Sequence, residues 1–381
     1  MTAPHIPVFY RLKKGKKLFS FGEEIGDAPI LNLPLSTWQE KGILQNKGKL
    51  LDITDEKEIN DSEYFIFDED LFFSSAFISA VIKIAISKHH SFRTTLSENT
   101  FNERFVLPHS AISSENLSFN FFYINKNVKE INPVIIPQKL FPHFEELPDQ
   151  IVKGGKYHFD QCDTLISRLA SPFHLLQINL AQNFSRMISI QRKMPQWFVN
   201  KFAPVFSMLY IRSLKSLNKF GKGCRVHPSA IIENAELGKN VIVGANDIIR
   251  HSFIGDGCKI HDNVSIMSSV LGKNNVISNG NHVNLCLTYN DVFLIHGPYQ
   301  FSVFGKSSAV FAVINCDIRL DQQNIFIPTD CGILDSKQPL LGIAYGHYSK
   351  TGGGNIIASG RIIPNHKHIL PPENVILKKI N

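Results

Sequence analysis

Four consecutive blocks in the C-terminal half of the chain align without a gap: FGKGCRVHPSAIIENAE (220–236), LGKNVIVGANDIIRHSF (237–253), IGDGCKIHDNVSIMSSV (254–270) and LGKNNVISNGNHVNLCL (271–287). Their period is 17 residues. Within each block, large apolar residues fall at steps of six, six and five: Phe220, Val226, Ile232; Leu237, Val243, Ile249; Ile254, Ile260, Ile266; Leu271, Ile277, Val283. At a hydrophobic content of 43%, twelve such positions in twelve arise by chance about once in twenty-five thousand trials. The pattern predicts triangular coils of three short strands, each strand turning one aliphatic residue inward, and stacked coils bury a column that no single coil can bury. Gly221, Gly238, Gly255 and Gly272 share a column just after the first inward residue, where a tight corner favours a residue without Cβ. Cys224 and Cys258 fall in one column two coils apart, about 9–10 Å at the usual strand spacing, too far for a disulfide.

After Leu287 the register weakens, reappears one residue displaced at FGKSSAVFAVINCDIRL (304–320), and continues at YGHYSKTGGGNIIASGRII (345–363). The turn-rich stretch Asp321–Pro339 between them predicts a projecting loop or hairpin, the kind of insertion that builds a binding face on a solenoid. Six or seven coils follow from this count. The chain therefore divides into residues 1–136, a connector over 137–219, and a β-helix over 220–381 with an insertion near 321–339. In the first part, strand-like runs at Pro7–Leu12, Tyr64–Phe67 and Leu117–Ile124 alternate with a helix-like run at Ser74–Ser87, which favours an α/β sheet. In the connector, Pro172, Pro195 and Pro204 break an apolar stretch into helical pieces that would pack between the domains or cover the first coil. An amphipathic membrane-surface role for Arg186–Phe220 is the alternative.

Composition narrows the function only slightly. Forty Lys and Arg against 33 Asp and Glu give +7, which suits sugar phosphates, nucleotides, coenzyme A or a lipid surface equally. Nucleic acid is not expected as a partner. The longest apolar run, Phe72–Ser87, is interrupted by Lys83 and too short to span a bilayer, so no transmembrane segment is expected. The first residues carry no basic stretch followed by an apolar core, hence no signal peptide is read there. The six cysteines contain no C-x-x-C pair and read as free thiols in a reducing, cytoplasmic setting.

Several residues carry candidate chemistry, each with a plainer alternative. His347 lies in GHYSKTGGG, where Lys350 and the amides of Gly352, Gly353 and Gly354 suit an anionic group, although a final coil rich in corners also demands glycine. Arg361 suits a phosphate or carboxylate, or a surface ion pair. Asp68 and Asp70 beside Glu69 suit magnesium, or form an acidic strand end facing solvent. His227, His251, His261 and His296 read as solvated or corner residues.

The hexad pattern resembles the left-handed parallel β-helix of the hexapeptide-repeat transferases, and the resemblance supplies the handedness. It also implies acyl transfer from acyl-CoA with a histidine as general base. His282, in SNGNHVNL, is similar to the Asn-His pair of some acetyltransferases of that class. Upstream, GDAPILNLPLSTWQEKG (26–42) and EYFIFDEDLFFSSAFISAVIKIA (63–85) resemble sugar-phosphate nucleotidyltransferases, with Asp70 at the metal position and Mg as its implied ligand. A nucleotidyltransferase-like domain followed by a hexapeptide β-helix is the order found in the bifunctional N-acetylglucosamine-1-phosphate uridyltransferases. The resemblance implies a small-molecule substrate, a sugar nucleotide or sugar phosphate.

One departure stands out. The family's Gly-rich nucleotide loop corresponds here to VFYRLKKGKKLFSFGEE, which has one glycine between lysines, so nucleotidyl transfer is expected to be altered or lost. The alternatives are an active sugar-phosphate nucleotidyltransferase and a non-catalytic scaffold or ligand sensor. Family members commonly form trimers, and Ile231, Ile248, Phe253, Met267 and Val270, outside the core columns, give a motive for a homotrimer.

Overall fold

The computed structural model describes residues 6–106, 111–113, 116–128, 130–191 and 217–371. It separates into two compact units: Met1–Glu146 with Lys156–Ala181, and Leu147–Gly155 with Gln182–Asn381. The stretch expected as a connector is thus divided between them. Pro172 opens the helix Pro172–Gln191 rather than breaking one, because the amide it lacks would have no intrahelical acceptor in the first turn. Pro195 and Pro204 lie outside the described residues.

The first unit is a mixed sheet in the order Asn132–Ile135, Phe92–Ser97, Asn116–Asn125, Glu63–Asp68, Val8–Leu12, Lys49–Ile53. Val8–Leu12 pairs in parallel with both Lys49–Ile53 and Glu63–Asp68, and Asn116–Asn125 runs antiparallel to its two neighbours. Three expected strands and the helix Ser75–Lys88 are present within a residue or two. Alternation along Glu63–Asp68 turns Phe65 and Phe67 to one face, where Phe9 stacks on Phe65 at 4.5 Å and Phe77 meets Phe121 at 5.2 Å. The helix is capped by the Ser74 hydroxyl, which accepts from the Phe77 amide, and it ends at His89 in the left-handed region. Later in the chain, Ile166–Arg168 returns to pair antiparallel with Leu71–Phe73. That return brings a distant arginine beside the end of the central strand.

The second unit is a parallel β-helix. Two of its sheets have eight strands each, running from Lys219–Phe220 to Ile362–Ile363 and from Arg225–Val226 to His368–Ile369. The third sheet has five, from Ile231–Glu233 to Tyr299–Gln300, followed by the separate pair Ile314–Asn315 and Ile356–Ile357. Seven coils have all three strands, and two strands of an eighth are described. Pairing advances by 17 residues as the sequence requires, then by 16 where Leu287 meets Val303, which is the displacement read in the sequence. Ten of the twelve inward positions are buried in one core. Phe220 and Val226, 53% and 37% exposed, belong to the first coil, which has no coil beneath it among the described residues.

The glycine column has a different cause from the one expected. These glycines do not adopt positive φ; instead a Cβ on Gly255 would lie 2.5 Å from the Gly272 carbonyl, and one on Gly221 2.4 Å from Gly238. Clearance between stacked coils excludes the side chain. The left-handed corners fall in three other columns, among them Gly223, Asn240, Gly257 and Asn274 two residues further on, and Asn234, His251, Ser268 and Leu285. The expected insertion is a hairpin, Phe326–Thr329 with Gly332–Asp335, within an excursion between Asn315 and Ala344. It folds back as well as projecting, since Ile325 and Ile327 are buried and Gly360 leaves room for them. None of the six cysteines is in a disulfide, and the Cys224 and Cys258 thiols each donate to a glycine carbonyl of the next coil.

Candidate functional site

Parallel strands of an open α/β sheet gather their ligand-facing groups at their carboxyl ends. Here that end of Glu63–Asp68 carries Asp68, Glu69 and Asp70, all buried despite their charge. Buried carboxylates require partners, and each has them. Glu69 Oε1 accepts from the Lys14 and Lys16 amides at 2.7 and 2.8 Å. Lys16 Nζ reaches Asp70 Oδ2 at 2.9 Å and Asp68 Oδ2 at 3.1 Å, and Arg168 Nε also donates to Asp70 Oδ2 at 2.9 Å. Lys14 Nζ and Asn120 complete the surroundings of Asp68. Gln39 ties the turn down by donating to the Glu69 and Leu71 carbonyls.

The electrostatics follow from this closure. Burial works against the Asp68 charge, but Asn120, Lys16 and Lys14 together hold its pKa below the ordinary value. Burial likewise opposes the Lys16 ammonium, and Asp70 and Asp68 override it, holding that pKa above the ordinary value. Three carboxylates face Lys14, Lys16 and Arg168, with Arg93 in electrostatic reach of Asp68, so no carboxylate charge is left in excess.

Two consequences bear on the expected chemistry. In a phosphate-binding loop the backbone amides face the ligand, whereas here two of them face Glu69. Magnesium takes oxygen ligands from one or two carboxylates together with water and phosphate. The Asp68 and Asp70 oxygens that would converge on it converge on the Lys16 ammonium, and Asp70 Oδ1 is buried without a hydrogen bond. Among the described residues no group of three or more His, Cys, Asp or Glu is arranged to hold a metal. The donors as placed do not fit Mg. Lys16 and Arg168 were not singled out in the sequence, and Glu69 only as the neighbour of Asp68 and Asp70: Lys16 lies in a charged run without a motif, and Arg168 joins the site from 98 residues beyond Asp70.

On the β-helix, His282 opens the strand His282–Asn284 on the third face, exposed, in one outward column with Ile231, Ile248 and Ser265. His347 is buried at a corner. Its Nδ1 accepts from the Lys306 amide at 2.8 Å, its own amide donates to Asn365 Oδ1 at 2.8 Å, and its ring meets Tyr289. Its Nδ1 is thus occupied as a backbone acceptor. These contacts tie His347 into a corner of the stack. Lys350 is exposed on the second face between Ala309 and His368. Of the glycines after it, Gly353 packs near Phe311, Gly352 near Leu370, and Gly354 takes a φ of +78°. Arg361 is exposed and precedes the first-face strand Ile362–Ile363. No hydrogen bond or ring contact among the described residues joins His282, three coils earlier, to any of these. Apolar outward positions vary: Ile231 and Met267 are 39% and 37% exposed, while Val270 is fully buried within this chain.

No protein-family model matches the chain, and no curated protein matches it either. Among the described residues, no helix is long and apolar enough to cross a membrane.

Proposed function

We propose that the chain is a transferase of the hexapeptide-repeat class acting on a nucleotide-linked or phosphorylated sugar, with acyl transfer on the β-helix and nucleotidyl transfer lost from the α/β unit. The observation that carries the reading is a mixed α/β sheet followed, in one chain, by a parallel β-helix of 17-residue coils. In this reading the helix is left-handed and three copies associate through the third face, where Ile231 and Met267 are open. His282 is the general base: it takes the proton from a sugar amine or hydroxyl as that atom attacks the acyl thioester, and coenzyme A leaves as the thiol. Lys350 and Arg361, both exposed, are available to phosphate groups of donor or substrate.

Incubation with acetyl-CoA and a panel of UDP-sugars, followed by mass spectrometry, tests the proposal. An acetylated sugar nucleotide whose formation requires His282 supports it; no product from any sugar, with coenzyme A release at the uncatalysed rate, removes it. A second reading, a non-catalytic sugar-nucleotide sensor, draws support from Glu69, which keeps the loop amides from a phosphate. It is distinguished by saturable sugar-nucleotide binding without turnover.

A further inference from the structure

At the opposite end of the strand that terminates in Asp68, about 17 Å away along the chain direction, the first unit contains a cavity of about 390 Å³. It lies beside the C-terminal half of the helix Ser75–Lys88 and is walled by Val8, Phe65, Ile82, Ala85 and Ile86. Glu63, Tyr64, Tyr123 and His89 supply the polar part of the wall, and no ion pair joins His89 to Glu63 among the described residues. Apolar clefts with a few placed polar groups are the usual form of small-molecule sites, and a dry cavity of about 150 Å³ already admits benzene. This one has room for a body of two fused rings.

Glu63 decides the chemistry. Its carboxylate accepts from Asn125 Nδ2 at 2.9 Å, a neutral donor, and the Tyr123 phenol lies close enough to feel its charge. No cation pairs with it among the described residues, and the neighbouring Lys126 Nζ is held by the Ile59 carbonyl. Burial and the nearby Glu63 carboxylate push the Tyr123 phenol up to about 12, so the phenol stays neutral and adds no second charge to the wall. The wall thus presents a negative charge beside apolar surface, which a cationic ligand with an apolar body complements.

We propose that this cavity is a binding site for a compact apolar amine, with the ring system against Phe65, Ile82 and Ile86 and the ammonium on Glu63. The site is separate from the acid cluster and independent of the acyl-transfer reading. Calorimetric titration of the full chain with three probes sharing one indole ring tests it: tryptamine, tryptophol with a hydroxyl for the ammonium, and indole-3-acetate. Tryptamine is expected to bind one to one and at least tenfold tighter than tryptophol, with no binding of the acid. Glu63→Gln is expected to erase the preference of amine over alcohol, and Ala85→Leu, which narrows the cavity, to weaken both. Absence of saturable tryptamine binding, an amine preference that survives Glu63→Gln, or binding that emerges only after residues 1–5 are removed would each overturn the proposal. The last result would assign the cavity to the chain's own leading segment. Unchanged far-ultraviolet circular dichroism of Glu63→Gln ensures that a lost preference reflects the site.

Discussion

The two units satisfy buried polar groups in opposite ways. In the β-helix the corners repeat one device, an amide donating to a side chain of an adjacent coil: forward from Lys239 to Asp256 and Lys273 to Asn290, and back from Val264 to Asp247 and Val292 to Asn275. These partners are 17 residues apart, until the excursion stretches the link from Lys306 to His347 to 41. In the α/β unit the acid cluster is closed once, by Lys16 and Arg168 from 54 and 98 residues away in opposite chain directions from Asp70. A repeated device shares its load with similar links above and below, so losing one costs little, but every link depends on the coil spacing. A device made once has no neighbour to share with. The β-helix should therefore be intolerant of bulk between coils and forgiving of lost side chains, and the acid cluster should be the reverse.

The largest expected effect is on spacing. Gly255→Ala places a methyl group 2.5 Å from the Gly272 carbonyl carbon and oxygen, and relief requires parting two coils. A loss of about 3 kcal/mol or more is expected in denaturant unfolding of the full chain. Gly280→Ala, at a φ of +70° but with nothing near its Cβ, should lose about 1–2 kcal/mol from backbone strain alone. Equal losses would mean that clearance between coils is not what selects glycine in that column.

Next comes the charge that was found once. Lys16→Met leaves Asp70 with Arg168 and Asp68 with Lys14, and removing one member of such a part-buried group should cost about 2–3 kcal/mol, Lys16 being 28% exposed. It also vacates the position where two carboxylate oxygens converge. Millimolar magnesium is expected to raise the unfolding temperature of Lys16→Met and leave the wild-type protein unchanged. A wild-type response of the same size would show that the lysine does not stand where a divalent cation would.

How much of this was legible in the sequence depends on the same contrast. The β-helix could be read because ten inward residues obey one period, and even the one-residue slip after Leu287 shows in the letters. The cause of the Gly221 column could not, since a tight corner and a close approach both demand glycine. In the α/β unit the strands around Tyr10, Phe65 and Phe121 follow from alternation, but Phe92–Ser97, written FRTTLS, has too few apolar residues to declare itself. Asp70 drew attention as a carboxylate at a strand end, whereas its partner Arg168 sits in ISR, three residues with no motif. Pairing between Ile166–Arg168 and Leu71–Phe73 creates that contact, and pairing across such a separation leaves no local trace.

A smaller effect lies inside the repeat itself. Asp247 is fully buried between coils, and burial pushes its pKa up to about 6 although the Val264 and Gly244 amides donate to it. The folded chain therefore binds more protons than the unfolded one between about pH 4 and pH 6. The contribution of this group to stability is greatest below the unfolded pKa and is lost as pH rises through 6. Asp247→Asn should flatten that part of the pH–stability curve relative to wild type; parallel curves between pH 4 and 7 would exclude the effect.

The smallest expected change in stability separates the two histidines that the sequence put forward together. His347→Ala removes the acceptor of the Lys306 amide and a ring packed on Tyr289, which should cost about 1–2 kcal/mol. His282 is exposed and holds no described hydrogen bond, so His282→Ala should stay within about 0.5 kcal/mol of wild type. Because the fold has no use for the His282 ring, any loss of acetyl transfer in that variant reads on chemistry and not on unfolding. The same loss in His347→Ala would be ambiguous, since the corner it supports belongs to the stack. The two variants are therefore compared by mass-spectrometric product yield at a temperature well below both unfolding midpoints. Loss of product in His282→Ala with an unchanged midpoint supports the base assignment, and full activity in His282→Ala removes it.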